Sequence, residues 1–223
     1  MLKWLAAVAA FAAFAVLAIG ALHMPFARPL LAKLGVGCPV TKGTPRAVDD
    51  ARAIPAAMYI GKPGAPARPA AGFELEKTTL ADLEAWAKRQ GISCAPLRGN
   101  ETLRACQDVD ARALGEPPTF PPAEEVTFEF RASGTLAVVT VLRRKLPLAE
   151  ANAMVAESSK RLREVLGAPA KSTGENTAAH FAKGPLQAFQ EEYEFGNYAA
   201  TLTETRIGDL GMLVREQYFS PVP

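Results

Sequence analysis

The stretch of the chain that most constrains the fold is residues 123–167. Its first part alternates apolar with polar residues, as a strand with one buried face does; the apolar positions are Val126, Phe128 and Phe130. After a Ser133-Gly134 turn, residues 136–142 are largely apolar, which is typical of a strand covered on both faces. Pro147 then begins a helix, since proline is preferred at the first helical position. Strand, turn, strand and helix in this order predict the middle of an α+β domain.

The predicted helix carries an apolar stripe and ends at Gly167, with Pro169 beyond it. The stripe consists of Leu148, Ala151, Val155, Leu162 and either Val165 or Leu166. Several basic residues lie just before the helix or on its exposed side: Arg143, Arg144, Lys145, Lys160, Arg161 and Arg163. Such charges can form a docking face for acidic partners or lipid headgroups, but we favour a solvated helix surface, which is their more frequent role.

Another helix is predicted earlier in the chain, beginning at Thr79. Thr79 and Asp82 have the spacing of a capping box, and Gly91 supplies the left-handed residue that ends many helices. Its apolar face holds Leu80, Leu83 and Trp86 or Ala87.

Two short β-like runs then flank Arg98-Gly99-Asn100 and predict a hairpin. This hairpin places Cys94 opposite Cys106, which is the spacing that a cross-strand disulfide needs. We expect the disulfide to form in an oxidising compartment. Closing so short a loop stabilises a fold by about 3 kcal/mol in the chain-entropy model. Cys38 has no assigned role.

The C-terminal third of the chain predicts strands. Phe189, Tyr193 and Phe195 alternate with polar residues, Gly196-Asn197 turns the chain, and strands are expected over residues 198–207 and 212–219. The links are too short for parallel crossovers, so the pairing is expected to be antiparallel.

The chain contains two successive parts that are each predicted to form a helix followed by strands, residues 79–145 and 146–219. The second part includes an uncertain strand near residues 178–182. We therefore predict an α+β fold in residues 73–223. Two helices pack on one face of a mostly antiparallel sheet, and the other face is partly wet and open to binding.

The N-terminus predicts a membrane segment. Residues 4–24 contain no formal charge, and about 20 such residues cross a bilayer. The large apolar side chains expected to anchor the chain are Trp4, Leu5, Phe11, Phe14, Leu17 and Leu22. The segment is either an uncleaved transmembrane helix or a cleaved signal peptide. The first places the domain in the bacterial periplasm on an inner-membrane anchor, and the second makes it secreted or periplasmic.

Residues 25–72 form a predicted tether rich in proline, alanine and glycine. Thr44 and Pro45 can begin a short helix there, and residues 61–72 should be extended and irregular. The tether is either a plain spacer or docks on the domain through Cys38-Pro39 and residues 58–60. We favour partial docking, because apolar residues recur along the segment.

The sequence contains no serine-hydrolase elbow, zinc-protease helix, paired Cys-x-x-Cys or glycine-rich nucleotide loop. A net charge of +2 argues against a nucleic-acid partner. We assign no catalytic residue, cofactor or metal site. The adjacent acids Asp49-Asp50, Glu124-Glu125 and Glu191-Glu192 are expected to be solvated, and His180 to be half-buried. Among the acidic residues, Glu216 is singled out as the most interesting candidate, without an assigned mechanism.

Residues 165–169, Val-Leu-Gly-Ala-Pro, close a helix before a hairpin that contains Tyr and Phe. This corner resembles the helix-to-strand corner of small bacterial envelope domains, namely the SmpA/OmlA-like outer-membrane assembly lipoproteins and the tandem-repeat β-lactamase inhibitor proteins. The chain departs from the first group because it lacks the lipid-modified cysteine. The resemblance implies an envelope-located, non-catalytic α+β module and assigns no binding residue.

The leading functional hypothesis is therefore a membrane-tethered extracytoplasmic binding or scaffold module whose sheet face engages another envelope protein. One alternative is a hydrolase or transferase with a carboxylate-based site, which a deep pocket gathering Glu, Arg and Tyr would favour. Another is a carrier of small apolar ligands, recognisable by a closed cavity between helices and sheet. The partner, the oligomeric state and cleavage of the N-terminal helix are left open.

Overall fold

The computed structural model of the chain describes residues 58–97 and 100–221. The predicted membrane segment, the Thr44 helix, Cys38-Pro39 and the Arg98-Gly99 part of the predicted hairpin lie outside the described residues. Within the described ranges, no helix combines the length and hydrophobicity needed to cross a bilayer.

The described residues form one antiparallel sheet and three helices, as an α+β fold requires. The strands are β1 (Cys94–Leu97), β2 (Asn100–Val109), β3 (Ala123–Phe130), β4 (Leu136–Leu146), β5 (Lys171–Thr173), β6 (Leu186–Phe195), β7 (Tyr198–Ile207) and β8 (Met212–Phe219). The helices are α1 (Leu80–Gln90), α2 (Leu148–Leu166) and α3 (Ala178–Phe181). Short 3-10 turns cover Ala111–Leu114 and Gly208–Leu210.

The strand order is β1-β2-β3-β4-β8-β7-β6-β5, so β4 and β8 form the central pair. Each half of the sheet thus consists of four strands consecutive in sequence, preceded by α1 or α2. The prediction of a strand near residues 178–182 is wrong, because these residues form a short helix. Thr177 accepts a hydrogen bond from the His180 amide and caps the short helix α3 there, while residues 171–173 supply the edge strand.

One face of the sheet is covered by α1 and α2. The ladder pairs Phe128 with Val139 and Val139 with Tyr218, so these three side chains share a face. The ring of Trp86 in α1 lies 6.0 Å from that of Phe128, and Ser158 in α2 contacts Glu216 on the same face. Burial of this face against two helices is the main source of stability.

The local signals of the first half are confirmed. Thr79 and Asp82 form the capping box, and Gly91 ends α1 with φ 67°. Cys94 and Cys106 lie opposite each other in the β1–β2 ladder and form a disulfide.

Strand β4 is longer than predicted, which corrects the interpretation of the basic residues before α2. Arg143, Arg144 and Lys145 belong to the strand, and the Arg143 side chain is only 1% exposed. A bulge between Arg143 and Leu146, where Lys145 has φ 58°, ends the regular ladder with β8. Alternation in a strand therefore turns Arg143 inward with Val139 and Val141.

Residues 58–73, which we call the strap, pass around the β6–β7 turn from the open face to the helix-covered face. The Tyr59 ring packs on Phe219 at 5.5 Å, the Gly196 amide donates to the Pro63 carbonyl at 2.8 Å, and the Tyr198 hydroxyl donates to the Pro69 carbonyl at 2.7 Å. Partial docking of the tether is thus confirmed for Tyr59. Met58 and Ile60 are exposed.

Candidate functional site

A cleft of about 380 Å³ lies between the strap, the 3-10 turn and the C-terminal half of α2. Its polar floor consists of Glu216 and Tyr218 from β8, Ser158 from α2 and Glu116. Its apolar wall includes Ala70, Phe73, Leu114, Leu162 and Val165. A concave apolar site with a few converging polar groups is the usual form of a small-molecule site.

Glu216 is the central group of this floor. Its side chain is 5% exposed, and its Oε2 accepts a hydrogen bond from the Tyr218 hydroxyl at 2.5 Å. Its Oε1 has longer contacts, 3.4 Å to the Ser158 hydroxyl and 3.5 Å to Nη1 of Arg143. The pKa of Tyr218 is raised well above its usual value by burial and by the adjacent carboxylate. Tyr218 therefore stays a hydrogen-bond donor to Glu216.

Arg143 joins the two acids of the cleft. Its guanidinium forms a salt bridge with Glu116, and its Nε donates to the Pro121 carbonyl at 2.9 Å. The ring of Phe120 lies 5.9 Å from the guanidinium carbon. Arg143 is thus held by residues of the proline-rich crossing, which fixes the position of both carboxylates.

Glu116 has a perturbed pKa. Burial and the nearby Glu216 carboxylate raise it from 4.5 to about 7, although Arg143 and Arg161 act in the opposite direction. Near neutral pH the protonated and ionised forms of this carboxyl are therefore both populated.

A side-chain cap and a glycine fix the turn that comes directly before Glu116. The Asp110 carboxylate accepts from the Arg112 amide at 2.8 Å and begins the 3-10 turn, which Gly115 ends with φ 69°. The strap approaches this turn closely at Gly72, where a Cβ would lie 3.3 Å from the Leu114 carbonyl oxygen. Glycine at residue 72 therefore allows the strap to form one wall of the cleft.

A second cleft of about 430 Å³ lies between the proline-rich crossing and the N-terminal half of α2. Phe120 and Met154 form its apolar part, and Glu150 and Glu157 lie at its edge. It lacks buried converging polar groups among its lining residues, so we rank it below the first cleft.

Two further acids are buried under α2. The Ser159 hydroxyl donates to Glu191 at 2.8 Å, and Arg163 forms a salt bridge with the same carboxylate. The expectation that Glu191 is solvated is wrong, because it shares a strand face with Phe189 and Tyr193. Glu204 is fully buried on β7, and burial raises its pKa to about 7.

The open face of the sheet carries a polar row beside apolar residues such as Leu103, Leu213 and Phe219. One row of the ladder crosses six neighbouring strands in register and contains Thr127, Thr140, Gln217, Thr201, Glu192 and Lys171. Apart from Lys171, these side chains are half-buried between their neighbours. This face has the partly wet character that the alternation predicted.

The structure brings Glu216, singled out from the sequence, together with Glu116, which the sequence analysis did not name, and Arg143, which it had assigned to the basic residues before α2. The predicted half-buried position of His180 is confirmed, and its Nε2 lies 3.0 Å from the Ala188 carbonyl oxygen, away from the cleft. Within the part of the chain that the structure describes, His, Cys, Asp and Glu form no cluster suited to a metal ion.

No protein-family model, curated protein or solved structure matches the chain. The resemblance to the envelope domains therefore stays a prediction.

Proposed function

We propose that this chain is an extracytoplasmic binding module held at a membrane by residues 4–24, and that a small ligand occupies the cleft. The observation that carries the proposal is the cleft itself, which joins an apolar wall to a buried polar floor. Its volume of about 380 Å³ falls in the range typical of small-molecule sites.

The arrangement of the two carboxylates favours binding over glycoside hydrolysis. Glycoside hydrolases that use two carboxyl groups place them on opposite sides of the bond to be cleaved. Glu116 and Glu216 instead converge on the guanidinium of Arg143. The Tyr218 hydroxyl also donates a hydrogen bond to one carboxylate oxygen of Glu216. Groups oriented by fixed partners in this way can recognise a ligand without reorganisation.

The compartment is supported by two independent features. Residues 4–24 are uncharged over a length that can cross a bilayer. The Cys94–Cys106 disulfide is the type of bond that persists in oxidising compartments. Both agree with a domain on the periplasmic side of a bacterial inner membrane.

Native mass spectrometry of the full chain, purified from its membrane in mild detergent, tests the proposal. A blocking variant, Val165→Trp, places a large ring at the half-exposed mouth of the cleft. Ala156→Trp is the control, since Ala156 is exposed on the same helix but does not line the cleft. We expect one small molecule per chain in the wild type and control, and its loss in Val165→Trp. A wild-type chain that carries no small molecule, or a blocked chain that keeps it, would contradict the proposal.

A hydrolase or transferase is the second candidate, favoured by one observation. The cleft gathers Glu, Arg and Tyr, and the pKa of Glu116, about 7, suits a general acid. Incubation with ester, amide and glycoside substrates tests this candidate. Turnover that Glu116→Gln lowers at least about 100-fold would favour catalysis, whereas turnover that is absent or equal in both chains would favour binding.

The open face supports the expectation of an envelope-protein partner as a separate contact. Its row of threonine, glutamine and charged side chains offers hydrogen bonds that a partner can meet. Crosslinking in cells through a photoreactive residue at Thr201, with Glu84 on α1 as the control position, tests this contact. A partner captured equally from both positions would refute it.

A further inference from the structure

The charges buried in the floor of the cleft do not balance. Arg143 carries one positive charge and contacts two carboxylates, Glu116 and Glu216. All three side chains are less than a tenth exposed. When both acids are ionised, the floor therefore carries one surplus negative charge, which burial makes costly.

The hydrogen bonding of Glu216 is also incomplete. The two contacts of its Oε1 are 3.4 Å and 3.5 Å long, beyond the usual length of a charge-assisted hydrogen bond. Nη1 of Arg143, which makes the longer contact, has no hydrogen-bond partner among the described residues. The buried carboxylate of Glu216, which lines the cleft, can therefore accept a further hydrogen bond from a ligand.

Arg161, which is exposed at the edge of the cleft, offsets this surplus charge only in part, since the pKa of Glu116 stays raised. The remaining charge can be neutralised in two ways. The first is a proton on Glu116, whose pKa is raised to about 7 by burial and by Glu216. The charged and titratable groups that face Glu116 are Arg143 from β4, Glu216 and Tyr218 from β8, and Arg161 from α2. The second way is a ligand cation in place of that proton.

We propose that the ligand of the cleft is a monocation, a primary ammonium joined to an apolar group, and that it displaces the proton of the Glu116–Glu216 pair. The ammonium donates to Oε1 of Glu216 and to Glu116, and the apolar group packs on Phe73, Leu162 and Val165. The exchange balances, because the carboxyl releases one proton to solvent as one ammonium enters. This assignment rests on the proposed function and names its ligand class.

Isothermal titration calorimetry of the full chain in lipid nanodiscs tests the assignment with three indole probes of similar size. Tryptamine is the cation, tryptophol the neutral analogue and indole-3-propanoate the anion. At pH 8 we expect tryptamine to bind at least about tenfold more tightly than tryptophol, since one charged hydrogen bond is gained. At pH 6 tryptamine should bind about tenfold more weakly than at pH 8, because a carboxyl with this pKa is then mostly protonated. Titration at pH 6 in buffers of different ionisation enthalpy should show close to one proton released per ligand bound, whereas titration at pH 8 should show little release, because the carboxyl is then already mostly ionised.

Glu116→Gln should abolish the pH dependence of tryptamine binding and bring its affinity near that of tryptophol. Glu84→Gln, on the exposed side of α1, should leave both unchanged. If Glu116→Gln fails to fold, the proton release measured with the wild type still tests whether the ligand displaces a proton. Tryptophol or indole-3-propanoate binding as tightly as tryptamine would overturn the cation assignment and leave the binding proposal standing. No tryptamine binding at pH 8 would overturn the assignment, and the absence of any co-purified molecule would overturn the binding proposal separately.

Discussion

Replacing Glu204 by glutamine should stabilise the protein at alkaline pH and leave it unchanged at acidic pH. Glu204 is fully buried on β7. With its amide nitrogen turned toward the sheet, Asn152 of α2 donates to Oε1 of Glu204 at 2.7 Å. Oε2 has no hydrogen-bond partner among the described residues. Ionisation therefore places a charge in a site that solvates it poorly.

The size of the effect follows from the pKa. Burial raises the pKa of Glu204 from 4.5 to about 7. An acid whose pKa is raised by folding stabilises the fold in its neutral form, so this stability is complete below about pH 4.5 and is lost as the pH rises through about 7. Each pKa unit corresponds to about 1.4 kcal/mol, so the ionised Glu204 costs about 3 kcal/mol. Glutamine has the shape of the neutral acid and avoids that cost.

Urea unfolding of the full chain, followed by Trp86 fluorescence in a Trp4→Phe background, measures the difference between pH 4.5 and pH 8.5. The free energy of unfolding of Glu204→Gln should exceed that of the wild type by about 3 kcal/mol at pH 8.5 and match it at pH 4.5. Glu84→Gln, an exposed change of the same kind, should differ little at either pH. A gain that does not vary with pH would refute the reasoning.

The remaining predictions concern the disulfide, the strap and the cap of α1. Cys94→Ala with Cys106→Ala should lower the free energy of unfolding by about 3 kcal/mol, and a reductant should then have no further effect; an equal effect of reductant on both chains would contradict this. Gly196→Val should release the strap, because a Cβ there would lie 2.5 Å from the Lys62 carbonyl oxygen; limited proteolysis should cut residues 58–72 faster, and unchanged cutting would count against docking. Thr79→Ala should cost about 1 kcal/mol in urea unfolding through loss of the N-cap, whereas the exposed change Lys88→Ala should cost little.

Much of the fold was predictable because its signals are local. The capping box at Thr79, the paired cysteines and the bounds of β7 and β8 each depend on residues within one element or one hairpin. The short helix α3 was missed because an apolar run as short as residues 178–182 does not distinguish helix from strand.

The cleft was not predictable, because its floor depends on contacts between distant parts of the chain. Glu116 lies in a proline-rich loop whose sequence says nothing about burial, and its partner Arg143 is 27 residues away. Only the fold brings Glu216 to the same place.

A usable signal for the buried charges was nevertheless present. Side chains two residues apart in a strand lie on the same face. Glu191 therefore shares a face with Phe189 and Tyr193, and Glu216 shares one with Val214 and Tyr218. Arg143 likewise shares a face with Val139 and Val141. Each of these charged residues interrupts the apolar face of its strand. Alternation therefore predicts their burial, even though single charged residues are usually exposed.

Hydroxyl-radical footprinting of the full chain at pH 8, with and without tryptamine, tests most directly whether the cleft is the binding site. Binding in the cleft predicts lower oxidation of Phe73 and Val165, which line it and are accessible to solvent. It also predicts unchanged oxidation of the half-buried open-face residues Leu103, Leu213 and Phe219. Protection of the open-face residues without protection of the cleft would contradict the account.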